Sequence, residues 1–251
     1  MIANTSKSAD EIVTAGLIVI GDEILSGQTK EQNVGFIANH LTNIGILLEE
    51  IRIVPDIEDR IIKALNEMRA EMTYVFTTGG IGPTHDDITS DAIAKAFGVP
   101  IEMDNRAIAM MRKRYKDADL IPARLRTARI PKGADLIENS ISFMPGFILD
   151  NVIVMAGFPI VMQVMLDAVT PRLKKGKEMH CCIIPLDLPE SEIAPLLTAL
   201  QEDHPSVRVG SYPFYENGKL GTQIVLRSTE SRLLKSVETV FRDALLELAL
   251  G

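Results

Sequence analysis

Thr77-Thr78-Gly79-Gly80-Ile81-Gly82-Pro83-Thr84-His85-Asp86-Asp87-Ile88-Thr89 decides how the rest of the chain is read. The β-rich run Thr73–Thr78 leads straight into it. Its glycines permit positive φ and let backbone N–H groups approach a ligand without obstruction from Cβ. Thr89 or Ser90 is placed to cap a helix from Asp91, and a helix N-terminus carries about half a positive charge. Strand, glycine turn, acidic pair and helix start together describe a phosphate site. Asp86 and Asp87 are then placed to hold a divalent metal, Mg²⁺ above all. The same residues also read as a tight strand-to-helix turn with solvated aspartates.

Working outward, Ala15–Ile20 is an apolar run of the kind expected for a strand buried on both faces. It ends in Gly21-Asp22-Glu23-Ile24-Leu25-Ser26-Gly27, read as a loop with two carboxylates. Asn33 reads as the cap of an amphipathic helix closed by Gly45. Ile46–Val54 reads as a strand followed by Pro55-Asp56, and Asp56–Met72 as a second helix. This alternation predicts an α/β fold, a three-layer, doubly wound and mostly parallel sheet. Helices are expected over Asp91–Phe97 and Asn105–Tyr115. Arg124, Arg126, Arg129 and Lys132 form a basic segment, read as a solvated helix face, with phosphate contact as the sharper alternative. Met144-Pro145-Gly146 reads as a turn and Asn151–Met155 as a buried strand. Gly157-Phe158-Pro159 then opens a helix that ends before Pro171.

Lys174-Lys175-Gly176-Lys177 breaks the pattern. The rhythm beyond it is strand, helix, strand, turn, strand, helix, with Asn217-Gly218 a hairpin signal. The expected organisation is a flexible tail over 1–14, an α/β domain over 15–174 and a small α+β (βαββα) subdomain over 177–250.

Composition narrows the function. The chain of 251 residues is 46% hydrophobic, enough for a real core, and its net charge of −8 offers no electrostatic footprint for nucleic acid. Cys181 and Cys182 are adjacent, which gives no disulfide framework and suits a reducing cytosol. No apolar run is long enough for a membrane span and the polar start lacks a leader's apolar stretch, so a cytoplasmic location is expected.

Four polar turns each follow an apolar strand: Gly21-Asp22-Glu23, Pro55-Asp56, Gly79 to Asp87, and Gly157-Phe158-Pro159. In a parallel sheet all four lie on the carboxyl edge, where α/β proteins bind ligands. Carboxylates beside backbone donors there suit a phosphate or diphosphate bridged by metal.

These residues resemble a known family. Thr78–Thr89 is similar to the signature of the molybdopterin-binding (MogA/MoaB-like) superfamily. Gly21 to Gly27 with Asn33, Pro55-Asp56, Asn139, Pro145-Gly146 and Gly157-x-Pro159 resembles its competence/damage-inducible (CinA) branch, and also the related domain fused to eukaryotic FAD synthase. The resemblance implies that Asp56 and Asp87 are the catalytic aspartates. It implies that Gly21, Asp22, Glu23, Asn33, Thr78, Gly79, Gly80, Gly82, Pro83, Thr84, His85, Thr89, Pro145, Gly146, Gly157 and Pro159 surround a pterin or nucleotide. Asp86 and Asp87 are the implied metal residues, molybdopterin an implied ligand, and a homo-oligomer, dimer or trimer, the implied assembly. Three activities are consistent with it: metal-dependent hydrolysis of ADP-ribose or FAD, non-catalytic pterin or nucleotide binding, and molybdopterin adenylyl transfer. The chain departs from the family pattern at Ser142-Phe143-Met144, where Gly-Thr-Ala is usual and bulk beside the pocket is expected. It departs again at Val161, where a glutamate is usual.

Overall fold

A computed structural model describes residues 12–177, 179–216 and 218–250. Most of the expected 1–14 tail, and Asn217 of the expected hairpin, lie outside them. The first strand, β1, spans Val13–Ile20, so the strand starts two residues before Ala15. A short helix α1 (Asp22–Leu25) follows where a loop was expected, because Ser26 N–H reaches the Asp22 carbonyl at 2.9 Å and closes one turn. Then come α2 (Asn33–Asn43), β2 (Ile46–Val54), α3 (Glu58–Glu71) and β3 (Tyr74–Thr78). Beyond the glycine loop lie α4 (Thr89–Phe97), β4 (Ile101–Met103), α5 (Asn105–Met111), α6 (Pro122–Arg126), β5 (Arg129–Pro131) and β6 (Asp135–Ile137). The first unit closes with β7 (Gly146–Leu149), β8 (Val152–Met155) and α7 (Pro159–Val169).

The main sheet runs β2-β1-β3-β8-β7-β6. Its first four strands are parallel, and β7 and β6 join antiparallel. Side chains alternate across a strand, so β1 serves both faces. Ile18 and Ile20 pack with Ile61 and Leu65 of α3 and Ile93 of α4. Leu17 and Val19 pack with Ile37 and Leu41 of α2 and with Met162, Met165 and Leu166 of α7. Each such apolar side chain contributes about 1.5–3 kcal/mol by leaving water. The three-layer, doubly wound architecture is therefore present.

Several boundaries differ from expectation. The helix expected over Asn105–Tyr115 stops at Met111, and Met144-Pro145-Gly146 feeds a strand. The basic segment is not one solvated helix face. Only α6 is helical, and Arg129 sits in β5, antiparallel to β4. Strands of three or four residues carry too few alternations to be read from periodicity.

The chain divides into two compact units between Gly176 and Lys177. The second unit holds β9 (His180–Leu186), α8 (Glu190–Asp203), β10 (Arg208–Glu216), β11 (Lys219–Ser228) and α9 (Ser231–Leu250). Its antiparallel sheet has the order β10-β11-β9, and Ile184, Ile224 and Leu226 pack on Ile193, Leu200, Val237 and Phe241. Glu216 pairs with Lys219 across the turn, where Gly218 has φ +80°.

Candidate functional site

Because β1, β2, β3 and β8 are parallel, the turns after Ile20, Val54, Thr78 and Met155 leave the sheet at one edge. The antiparallel β7 begins at that same edge, with Gly146. Backbone contacts tie the turns together. Gly21 N–H donates to the Val54 carbonyl at 3.1 Å, and Gly79 N–H to that of Met155 at 3.2 Å. Asp22 N–H donates to an Asp56 carboxylate oxygen at 2.9 Å. Asn33 Nδ2 donates to the Gly157 carbonyl at 2.8 Å.

The glycines are demanded by this crowding. Gly79 has φ +102°, and a Cβ there would stand 2.1 Å from the Ile20 carbonyl oxygen. Gly80 has φ +66°, and its Cβ would meet Thr89 Oγ1 at 2.1 Å and Asp56 Oδ1 at 3.5 Å. The structure thus brings Gly21, Asp22, Asn33, Asp56, Gly79, Gly80, Thr89 and Gly157 to one rim.

Asp87 has a different place from the one its sequence neighbours suggest. Its Oδ1 accepts from Gly82 N–H at 2.7 Å, and its Oδ2 from Thr84 N–H at 2.8 Å and from the Thr84 hydroxyl. The carboxylate is a clasp that closes the glycine loop on itself. Thr89 is not a cap either. It lies inside the first turn of α4, fully buried, with its hydroxyl donating to the Gly79 carbonyl at 3.0 Å and its N–H to that of Gly80 at 2.9 Å. Asn33 likewise begins α2 rather than capping it. Glu31 accepts the Asn33 and Val34 amides at 2.6 and 3.0 Å, which frees the Asn33 side chain to reach Gly157.

The remaining expected residues divide into two groups. Pro83, Thr84, His85 and Asp86 are exposed along the outer loop, with His85 Nδ1 4.0 Å from Asp86 Oδ1. Thr78, Pro145 and Gly146 are buried. Gly146 is needed where β7 meets β8, since a Cβ would come within 2.4 Å of the Val154 carbonyl oxygen. Pro159 opens α7, and the Glu23 carboxylate lies over Gly21. Ser142-Phe143-Met144 adds less to the rim than expected. The Ser142 hydroxyl accepts from Asn139 Nδ2 at 2.7 Å, and Phe143 lines a small cavity with Met110, Lys113 and Val164. Val161 is buried in the core beside Met162 and Met165.

Asp56 carries the distinctive electrostatics. Partial burial pushes its carboxyl above the ordinary aspartate range, opposed by the Asp22 amide and reinforced by the negative charges of Glu23, Asp22 and Asp86. Among the described residues no three His, Cys, Asp or Glu side chains are grouped to hold a metal ion, and both Asp87 oxygens are already engaged. The residues present do not fit a metal held by protein ligands alone. Arg126, read with the basic segment as a solvated helix face or, as the sharper alternative, a phosphate contact, donates from Nη2 to the Asp87 carbonyl at 3.2 Å. Its only signal was membership of the basic segment.

A doubly wound α/β domain with a glycine-rich loop at the carboxyl edge defines a class of small-molecule-binding proteins. Comparison with known families makes the assignment specific. Residues 16–175 match the probable molybdopterin binding domain, and residues 178–250 match the FAD synthase middle domain. The chain belongs to the molybdopterin-binding (MogA/MoaB-like) domain family, in its CinA-like branch. A crystal structure described as the protein CinA with unknown function, from Thermoplasma acidophilum, is 36% identical with a TM-score of 0.60, and the match covers 66% of this chain and 99% of that one. A protein of Archaeoglobus fulgidus is 31% identical over 78% of this chain and 84% of the relative. One of Thermococcus kodakarensis is 32% identical over 89% of this chain and 94% of the relative. Among the described residues no helix is long and apolar enough to cross a membrane.

Proposed function

We propose that this protein binds a phosphorylated small molecule, a pterin or a nucleotide diphosphate, at the carboxyl-edge rim of its first unit. The observation that carries the reading is the glycine loop. Gly79 and Gly80 hold left-handed φ, Asp87 clasps the loop at Gly82 and Thr84, and the Gly80 and Ile81 amides have no acceptor among the described residues. Backbone N–H groups require a partner, and adjacent amides in a glycine turn suit phosphate oxygens. The family of residues 16–175 supports a pterin, and the FAD synthase match over 178–250 supports a nucleotide such as FAD. The test is calorimetric titration of the full chain with ADP-ribose, FAD, AMP and a phosphorylated pterin, with adenosine as the phosphate-free control. Binding of at least one phosphorylated compound, with none by adenosine, is the expected result. Failure of every phosphorylated compound overturns the reading.

A second reading, hydrolysis of a diphosphate, is favoured by Asp56. A carboxyl whose affinity for protons is raised by burial, at the edge of a phosphate loop, suits general-base work. Asp56 would take a proton from water as its oxygen bonds to phosphorus and the bridging P–O bond breaks, the second phosphate leaving with the electron pair. Release of AMP from ADP-ribose or FAD, abolished in Asp56→Asn, is the corresponding observation; no AMP release from wild type leaves binding as the function.

A further inference from the structure

The rim is crowded with negative charge: Asp22, Glu23 and Asp86 all act on Asp56. A phosphate approaching that rim is repelled unless a cation stands close to the loop. The basic segment supplies four candidates, and three are committed elsewhere. Arg129 forms a two-point pair with Asp91 at 3.0 and 2.5 Å. Lys132 reaches Glu102 at 3.4 Å. Arg124 donates to the Asp119 carbonyl at 2.6 Å and lies 4.6 Å above the Tyr115 ring.

Arg126 differs from all of them. Like Arg124 it forms no close ion pair among the described residues, but its charge acts on Asp86 of the rim and it alone of the four touches the glycine loop. One terminal nitrogen donates to the Asp87 carbonyl at 3.2 Å, while its Nε is buried with no hydrogen-bond partner. A guanidinium carries five N–H donors in a planar fork that matches phosphate oxygens, and a buried donor left unpaired is costly. The cation is thus fastened to the glycine loop through a backbone oxygen, with no carboxylate in ion-pair contact and its Nη1 donors uncommitted among the described residues. We infer that Arg126 is the residue that neutralises and orients the ligand's phosphate on the Gly79–Gly82 loop. The inference rests on the binding reading above and names the residue that overcomes the rim's own charge. It also explains how a rim without a protein-held metal can accept an anion.

The experiment titrates the full chain and its Arg126→Ala, Arg126→Gln and Arg126→Lys variants with ADP-ribose and with inorganic pyrophosphate, at low and high NaCl. Glutamine keeps an N–H for the Asp87 carbonyl but has no charge; lysine keeps the charge without the fork. Thermal melting of each variant reports whether the loop still folds. Arg126→Ala and Arg126→Gln are expected to melt like wild type, to bind both probes at least tenfold more weakly, and to lose much of wild type's weakening by salt. Arg126→Lys is expected to recover part of the affinity and most of the salt dependence. Wild-type affinity in Arg126→Gln would reduce the residue to a loop tether and overturn the inference, leaving phosphate binding intact. If wild type binds neither of these probes nor any other phosphorylated compound tested, the binding reading falls instead.

Discussion

At the scale of single residues, the two aspartates expected to act alike have opposite situations. Asp87 spends its carboxylate on three N–H and O–H donors of its own loop, so its removal should be felt in folding before chemistry. In Asp87→Asn the amide can still accept from Gly82 but presents a donor to the Thr84 N–H. A loss of about 1–2 kcal/mol is expected in urea unfolding; a variant as stable as wild type would show that the clasp contributes nothing. Asp56 behaves in the reverse way. A carboxyl with a raised folded-state pKa keeps its proton to higher pH than in the unfolded chain, so stability falls as pH rises between the two values. The amide in Asp56→Asn keeps an acceptor for the Asp22 N–H and removes that penalty. The variant should therefore melt above wild type at pH 7, with the gap closing as pH falls below the ordinary carboxylate range. A gap that is absent at pH 7, or that widens in acid, would contradict the assigned environment. A more stable variant that has lost function is the usual signature of strain kept at a site.

At the scale of elements, the glycine loop is held between a strand and a helix by one hydroxyl. The Thr89 hydroxyl, in the first turn of α4, donates to the Gly79 carbonyl, and the Cβ that Gly80 lacks would stand 2.1 Å from the Thr89 hydroxyl oxygen. Thr89 is fully buried; swinging its side chain away would break the bond it makes. Gly80→Ala therefore combines a left-handed alanine, costing about 1–2 kcal/mol, with a lost buried hydrogen bond worth about 1 kcal/mol. A drop of about 2 kcal/mol or more is expected by urea denaturation, with loss of phosphate-ligand binding. A Gly80→Ala protein that folds and binds like wild type would mean that the loop relaxes freely, and the rim would need redrawing.

At the scale of the whole molecule, the chain divides after Gly176, and each unit has its own core. Ending the chain at Leu173 would be too early, since Leu173 is buried in the first core and the Lys174 amide donates to the Tyr74 hydroxyl at 2.8 Å. A chain ending at Gly176 keeps both. It is expected to fold cooperatively and to retain binding of phosphorylated ligands, as every rim residue named above precedes it. Cooperative folding with binding abolished would show that a residue beyond 177 completes the site.

Sequence by itself determined the alternation of apolar runs and amphipathic segments, and with it the doubly wound sheet and the gathering of four polar turns at its carboxyl edge. Those features follow from local periodicity and from chain handedness, both written into residue order. It also marked the glycine loop, because Gly79 and Gly80 stand where only glycine fits. Tertiary structure decided what each polar side chain does there. Asp87 clasps the loop, Thr89 and Asn33, expected to cap helices, bridge neighbouring turns, and Arg126 reaches the loop from 39 residues away. Those roles depend on side-chain partners distant in the chain, and sequence spacing carries no information about which distant donor meets which acceptor.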